Sequence, residues 1–123
     1  MDKRIATELI KLFENINFTE HFEGDEIVGS IQDHDRIIQV SFLGDNMGKY
    51  LKLSYTVEIN NNLEDIQFNL SSRIVNGRYS LVENSIVLYS IVPMLDERFV
   101  GKQLEHALSE IWDMTTIVRH FNS

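Results

Sequence analysis

The sequence feature that most constrains the fold is an apolar repeat in the last part of the chain. From about Asp96 to Phe121, apolar residues recur at alternating spacings of four and three, which places them on one face of an α-helix. They are Val100, Leu104, Ala107, Ile111, Met114, Val118 and Phe121. A helix of these 26 residues would be about 39 Å long, whereas a compact domain of this size has a diameter of about 35 Å. We therefore expect this helix to span the whole domain.

The apolar face of this helix is broader than a coiled-coil seam, because Leu108, Trp112 and Thr115 lie beside the repeat. Packing against a sheet is the commonest role for such residues. One sheet need not cover so wide a face, which leaves part of it for a second chain. We therefore predict a dimer or client surface here, with core packing as the open alternative. The residues assigned to this surface are Leu108, Trp112, Met114, Thr115, Val118 and Phe121.

Earlier in the chain, three stretches have the alternating pattern of antiparallel strands. They are Glu26 to Ile31, Arg36 to Leu43, and Tyr50 to Ile59, with apolar and polar residues taking turns in the last two. The connectors QDHD and GDNMGK contain turn-forming residues. This pattern predicts a three-stranded meander with one covered face and one wetter face.

A second helix and a hairpin follow the meander. Asn60 to Asn62 break the strand and can cap a helix whose apolar residues are Leu63, Ile66, Leu70 and Ile74. Asn76-Gly77 ends it in the manner of a left-handed cap. Glu83-Asn84 then forms a tight break between strands Tyr79 to Val82 and Ser85 to Val92, and Pro93 ends the second strand. These strands bring the predicted sheet to five.

The N-terminal segment predicts one further helix. Apolar residues at spacings of three and four run from Lys3 to Ile16. Phe18 to Glu23 is interpreted as a loop. The predicted class is therefore α+β, a single domain over residues 1–123 in the order α-β-β-β-α-β-β-α, with helices packed on an antiparallel sheet.

Composition limits the partners more than it identifies one. The net charge is -8, from 19 acidic and 11 basic residues, which disfavours nucleic acid and anionic membranes. The chain has no cysteine, so disulfides and thiolate metal sites are ruled out and a cytoplasmic location is favoured. The remaining partners are a protein or peptide client, a second copy of the chain, or a small molecule.

The sequence contains no strong catalytic, cofactor or metal motif. Gly44 to Lys49 is one residue short of a phosphate-binding loop, and the four histidines include no H-x-x-x-H pair. We therefore expect a non-enzymatic domain. The alternative left open is a small-molecule binder or enzyme with a pocket between sheet and helices. Its rim would carry Asp33, His34 and Asp35, or the acids between Glu23 and Glu26.

The order of elements resembles that of type III secretion chaperones and of the related YbjN family of bacterial sensory-transduction regulators. The residues most similar to the YbjN pattern are Phe68-Asn69, the run Asn76-Gly77-Arg78-Tyr79-Ser80-Leu81, the strand Ser85 to Val92, and Gln103-Leu104. The resemblance implies a domain that binds polypeptides, often as a dimer, and it supplies no catalytic residue. The expected function is a non-enzymatic protein-binding domain, chaperone-like or regulatory, that acts as a homodimer.

Overall fold

The computed structural model describes residues 17–23, 26–33, 36–45, 48–73, 78–93 and 97–122. Within these ranges, six strands form one antiparallel sheet in the order β1-β2-β3-β4-β6-β5. The strands are β1 (Asn17–Glu23), β2 (Glu26–Asp33), β3 (Arg36–Asp45), β4 (Gly48–Glu58), β5 (Arg78–Val82) and β6 (Ser85–Pro93). The helices are α1 (Leu63–Arg73) and α2 (Val100–Phe121), with a short 3₁₀ helix over Glu97–Phe99. The α+β class is confirmed.

The meander and the hairpin lie where the sequence predicts them. Strands β2, β3 and β4 pair in succession. Gly44 and Asp45 lie opposite Lys49 and Gly48, so these residues extend β3 and β4 where the sequence predicts a loop. In the hairpin, Val82 lies opposite Ser85, which leaves Glu83-Asn84 as a two-residue turn. Strand β6 then pairs with β4, so the hairpin is inserted into the sheet beyond the meander. The helix predicted from Lys3 to Ile16 and the cap at Asn76-Gly77 lie outside the described residues.

The interpretation of Phe18 to Glu23 as a loop is wrong, because this segment belongs to β1 and adds a sixth strand. It pairs with β2 from Asn17 opposite Gln32 to Glu23 opposite Glu26. Two residues, Gly24-Asp25, separate the paired ends, and glycine followed by aspartate is a sequence typical of two-residue hairpins. That dipeptide was the available signal that Phe18 to Glu23 is a strand.

The alternation of side chains gives the sheet one buried face. On that face Leu53 of β4 lies opposite Val40 of β3, and Tyr55 opposite Leu88 of β6. The core they belong to also includes helix residues, and its largest fully buried members are Ile31, Ile38, Leu51, Leu53, Ile66, Ile86, Leu88, Leu104, Ile111 and Met114. On the other face, residues such as Gln39, Thr56 and Ser80 are exposed.

Helix α2 packs on β6 and β4 and contacts α1 beside it. It begins at Val100 after the 3₁₀ turn, so its 22 residues extend about 33 Å, less than the sequence predicts. The preceding residues Glu97–Phe99 form the 3₁₀ helix, so the α-helix starts later than predicted, with no side-chain cap and no acidic residue in its first turn. Helix α1 buries Ile66 and Leu70 and exposes its opposite side.

Candidate functional site

A cleft of about 260 Å³ lies at the end of the sheet where β4 leads into α1 and β5 turns into β6. Its walls are two short segments, residues 59–63 and residues 83–85, together with Leu81. Four of the lining residues are asparagines, at positions 60, 61, 62 and 84, and the apolar part comes from Ile59, Leu63 and Leu81. The cleft therefore combines amide groups with an aliphatic floor.

Two exposed apolar residues connect the cleft to an open strand edge. Strand β5 is the last strand on its side of the sheet in the described part of the chain. Leu81 of β5 is 45% exposed and its neighbour Val82 is 55% exposed, although the two point to opposite faces. Leu63, on the other wall of the cleft, is 38% exposed. Exposed apolar residues on an edge strand are a liability unless another chain covers them.

The backbone groups along this edge are also oriented outward. Because Val82 and Ser85 close a two-residue turn, they form a hydrogen-bonded pair, and the bonds to β6 then alternate along β5. Ser80 and Arg78 therefore point their backbone groups toward β6. Tyr79 and Leu81 direct theirs to the outer edge of the sheet.

In the described part of the chain, two residues other than glycine have a positive backbone φ, and both line the cleft. Asn62 has a φ of 60° and Glu83 a φ of 54°, and each lines the cleft. Asparagine tolerates this region, whereas glutamate does so at a cost of about 1–2 kcal/mol. Strained backbone of this kind concentrates at binding and catalytic sites, which favours the cleft as a functional site.

Hydrogen bonds to the end of α2 hold one wall of the cleft in place. The Asn122 side chain accepts a bond from the Asn60 backbone N–H at 2.8 Å and donates one to the Glu58 carbonyl at 2.8 Å. The Asn62 side chain donates to the Phe121 carbonyl at 2.7 Å. These bonds satisfy backbone N–H and carbonyl groups at the end of β4 and at the end of α2. The loop is therefore fixed by α2.

The opposite wall is joined to the first by one backbone bond. The Ile59 N–H donates to the Asn84 carbonyl at 2.7 Å, which ties the end of β4 to the β5–β6 turn. The Asn62 carbonyl accepts from the Ile66 N–H at 3.0 Å, at the start of α1. Both walls are thus hydrogen-bonded to regular structure, so the cleft is preformed.

The structure places most of the surface predicted on α2 inside the chain. Four of its six residues are buried where α2 packs on β6, β4 and α1, which cover more of the helix than expected. These four are Leu108, Met114, Thr115 and Val118. The Thr115 hydroxyl donates to the Ile111 carbonyl at 2.7 Å, which satisfies it in the core. Core packing therefore describes these four. Only Trp112 and Phe121 are partly exposed.

Trp112 belongs to an aromatic and cationic cluster beside α2. The Arg36 guanidinium carbon lies 4.0 Å from the centroid of the Trp112 ring, close enough for a cation–π contact. The Tyr55 ring meets the Trp112 ring edge to face at 5.5 Å. The Arg119 side chain donates to the Tyr55 hydroxyl at 3.4 Å. Tryptophan, tyrosine and arginine are the residues that most often dominate protein interfaces.

The two groups of acidic residues considered as alternative pocket rims lie at opposite ends of β2. Glu23 pairs with Glu26 where β1 meets β2, and Asp33 pairs with Arg36 where β2 meets β3. Glu26 and Asp33 are the two ends of β2, and eight residues of strand put them about 24 Å apart. Asp25, His34 and Asp35 lie outside the described residues.

The histidines that the structure describes fully lie on the outer side of α2. The His106 Nε2 contacts a Glu110 carboxylate oxygen at 2.9 Å, and His120 stacks edge to face on Phe121 at 4.8 Å. Among the described residues, no group of three or more histidine, aspartate or glutamate side chains is placed to hold a metal ion. Neither helix in the described ranges is long and apolar enough to cross a membrane.

The cleft was missed in the sequence because its residues had a simpler explanation. Asn60 to Asn62 were interpreted as a helix cap and Glu83-Asn84 as a turn. A glutamate at the first position of a two-residue hairpin turn, where glycine, asparagine or aspartate is usual, was the available signal. Comparison with known proteins gives no further guide, since no family model matches the chain and no curated protein matches it significantly.

Proposed function

We propose that this chain is a non-enzymatic protein-binding domain that holds an extended polypeptide segment along β5. The observation that carries the proposal is the edge of β5, where Leu81 and Val82 are exposed beside the cleft. An edge strand with outward backbone groups can accept a further strand, whose main-chain bonds supply affinity. A neighbouring pocket then selects the side chain that enters it.

The position of the cleft fits this mode of binding. Tyr79 and Leu81 direct their backbone groups outward, so an added strand would bond to these two residues. Side chains on alternate residues of that strand would lie on the same face as Leu81, and one of them would reach the cleft between Leu81 and Leu63. Its aliphatic floor favours a leucine, isoleucine, valine or methionine side chain.

Charge favours a neutral or basic client. The chain carries a net charge of -8, and Glu83 lines the cleft itself. An acidic segment would be repelled on approach, whereas a basic one would be attracted. The same acidity, with the absence of cysteine, supports action in the cytoplasm.

The resemblance to type III secretion chaperones and the YbjN family supports the proposal and adds a second element to it. The element order predicted from the sequence resembles that of these families, to which β1 adds one strand, and their members are often dimeric. We propose that this chain has the secretion-chaperone-like version of the α+β fold and forms a homodimer. The partly exposed Trp112, with Arg36 and Tyr55, has the composition expected of the central contact.

Binding is tested with a fluorescein-labelled synthetic nonapeptide in which leucine alternates with lysine and threonine. We expect fluorescence anisotropy to show saturable binding that Leu81→Lys weakens by about tenfold or more, since a charge would replace the apolar contact. Gln39→Lys is the matched control because it adds the same charge at an exposed position on β3, three strands away.

A second peptide tests the strand-addition geometry. Proline at alternate positions removes the N–H groups that would pair with β5 while keeping the length and charge. We expect this peptide not to bind. Equal binding of both peptides, or equal weakening by Leu81→Lys and Gln39→Lys, would refute the proposal.

A further inference from the structure

The buried face of the sheet extends beyond the two described helices. Helix α2 packs on β6 and β4, and α1 lies toward β5, where the hydroxyl oxygens of Ser71 and Tyr79 are 3.4 Å apart. Strands β3 and β2 follow β4 in the other direction, so they lie on the far side of α2 from α1. Among the described residues, α2 reaches β3 through Trp112, whose ring contacts the Arg36 guanidinium. Away from Arg36, this half of the sheet face is therefore beyond both helices.

The residues on this half of the face are nevertheless buried. Ile38 and Val40 of β3 are 0% exposed, and Ile31 of β2, which lies opposite Ile38, is 1% exposed. On the opposite face of β3, the adjacent Ile37 is 56% exposed. A side chain that stands on a single sheet is fully buried only beneath a second layer. We call the surface formed by Ile31, Ile38 and Val40 the β2–β3 floor, and it therefore has a cover.

The contact at Arg36 does not account for this cover. Val40 is four residues farther along β3, about 13 Å away, and Ile31 is on β2, one strand farther from α2. The cover belongs to the same chain, because these side chains are buried in a single copy. The segments between elements that lie outside the described ranges are two to four residues long, too short to form a layer. Residues 1–16 are the one long segment outside those ranges.

The sequence of that segment suits an apolar floor. Its apolar residues recur at spacings of three and four, which predicts one helix face; they are Ile5, Leu9, Leu12, Phe13 and Ile16. A helix from Lys3 to Ile16 would be about 21 Å long, enough to lie over both strands. The segment also leads directly into β1, which pairs with β2 beside the floor.

We propose that residues 3–16 are the partner of the β2–β3 floor, and that their apolar side packs on Ile31, Ile38 and Val40 within the same chain. Displacing this segment would uncover an apolar surface next to α2. The inference does not depend on the proposed function, because the client site is on β5, at the opposite edge of the sheet from β1.

The test measures how well the floor is protected from a maleimide reagent. The chain has no cysteine, so Val40→Cys introduces a single thiol at a buried position of similar size. We expect Leu9→Lys, added to Val40→Cys, to raise the rate of modification by about tenfold or more, because a buried unpaired charge opposes packing. Thr7→Lys is the matched control, since it adds the same charge on the polar side of the repeat. It should leave the rate unchanged.

A second thiol position distinguishes uncovering of the floor from unfolding of the chain. Leu88 is fully buried on β6, on which α2 packs. We expect Leu9→Lys to leave the modification rate of Leu88→Cys unchanged. Equal increases for Val40→Cys and Leu88→Cys would show general destabilisation and would overturn the proposal, as would an unchanged rate for Val40→Cys. A rate for Val40→Cys that falls as protein concentration rises would assign the cover to a second copy, and would overturn it too.

Discussion

Replacement of Glu83 by glycine should stabilise the chain. Glu83 is the first residue of the β5–β6 turn and has a φ of 54°, in the left-handed region. A residue with a Cβ atom occupies that region at a cost of about 1–2 kcal/mol. Glycine removes this cost, but it loses about 0.5–1 kcal/mol more conformational entropy on folding. The net gain expected for Glu83→Gly is about 0.5–1 kcal/mol.

The matched control for this substitution is the next residue of the same turn. Asn84 does not have a positive φ. Asn84→Gly therefore relieves no strain and only increases the entropy of the unfolded chain, so it should destabilise by about 0.5–1 kcal/mol. The backbone bond from Ile59 to the Asn84 carbonyl is retained in both variants. The two substitutions are thus expected to change stability in opposite directions.

Urea denaturation followed by circular dichroism measures the difference. The slopes of the transitions should be the same for the original chain and both variants, so that the midpoints report stability alone. For a chain of 123 residues, a change of 1 kcal/mol corresponds to about 4 °C in melting temperature. Destabilisation by Glu83→Gly equal to that by Asn84→Gly would refute the argument that the glutamate backbone is strained.

Three further comparisons test the packing and the surfaces. Leu104→Ala should cost about 2–5 kcal/mol of stability, because Leu104 is fully buried. With Trp112 at the proposed dimer contact, Trp112→Ala should cost less stability and lower the molar mass measured by light scattering. Equal and severe unfolding by both substitutions would contradict this. Asn122→Ala should cost about 1–2 kcal/mol in urea denaturation, since it removes two hydrogen bonds at the end of α2; an unchanged midpoint would show that they contribute nothing. Phe68→Ser should change stability by less than about 0.5 kcal/mol, because Phe68 is 72% exposed. Ile66→Ala, on the buried side of the same helix, should cost about 2–5 kcal/mol.

The sequence predicted those helices and strands in which apolar residues recur with a regular period. It failed where the same segment could be interpreted as two different structures. The repeat from Leu104 to Val118 identified α2, and all five of its members in this range are buried. The same repeat could not say which side of the broad face would be covered, because that depends on where β4, β6 and α1 pack against the helix. Residues such as Met114 were therefore assigned to a surface, although they are buried within the chain.

The candidate site could not be predicted in the same way. The cleft depends on two segments that are distant in the sequence, residues 59–63 and 83–85. It also depends on the hydrogen bonds that Asn60 and Asn62 donate to Asn122 and Phe121 at the end of α2. Each segment alone reads as ordinary loop sequence. What distinguishes them is the left-handed backbone of Asn62 and Glu83, and a φ angle is a property of the fold rather than of the residue type.

The open edge of β5 also bears on which partner the chain should prefer. Natural sheets protect such edges with proline, inward-pointing charge or a covering segment. β5 itself, residues 78–82, contains neither proline nor lysine. Within the described residues, the features that protect it are its short length, Arg78 at one end and Glu83 just beyond the other. Two copies that paired through this edge would bring two chains of net charge -8 together, and their repulsion would oppose the contact. A basic polypeptide meets no such repulsion. Charge therefore favours a client on β5 over a second copy of the chain.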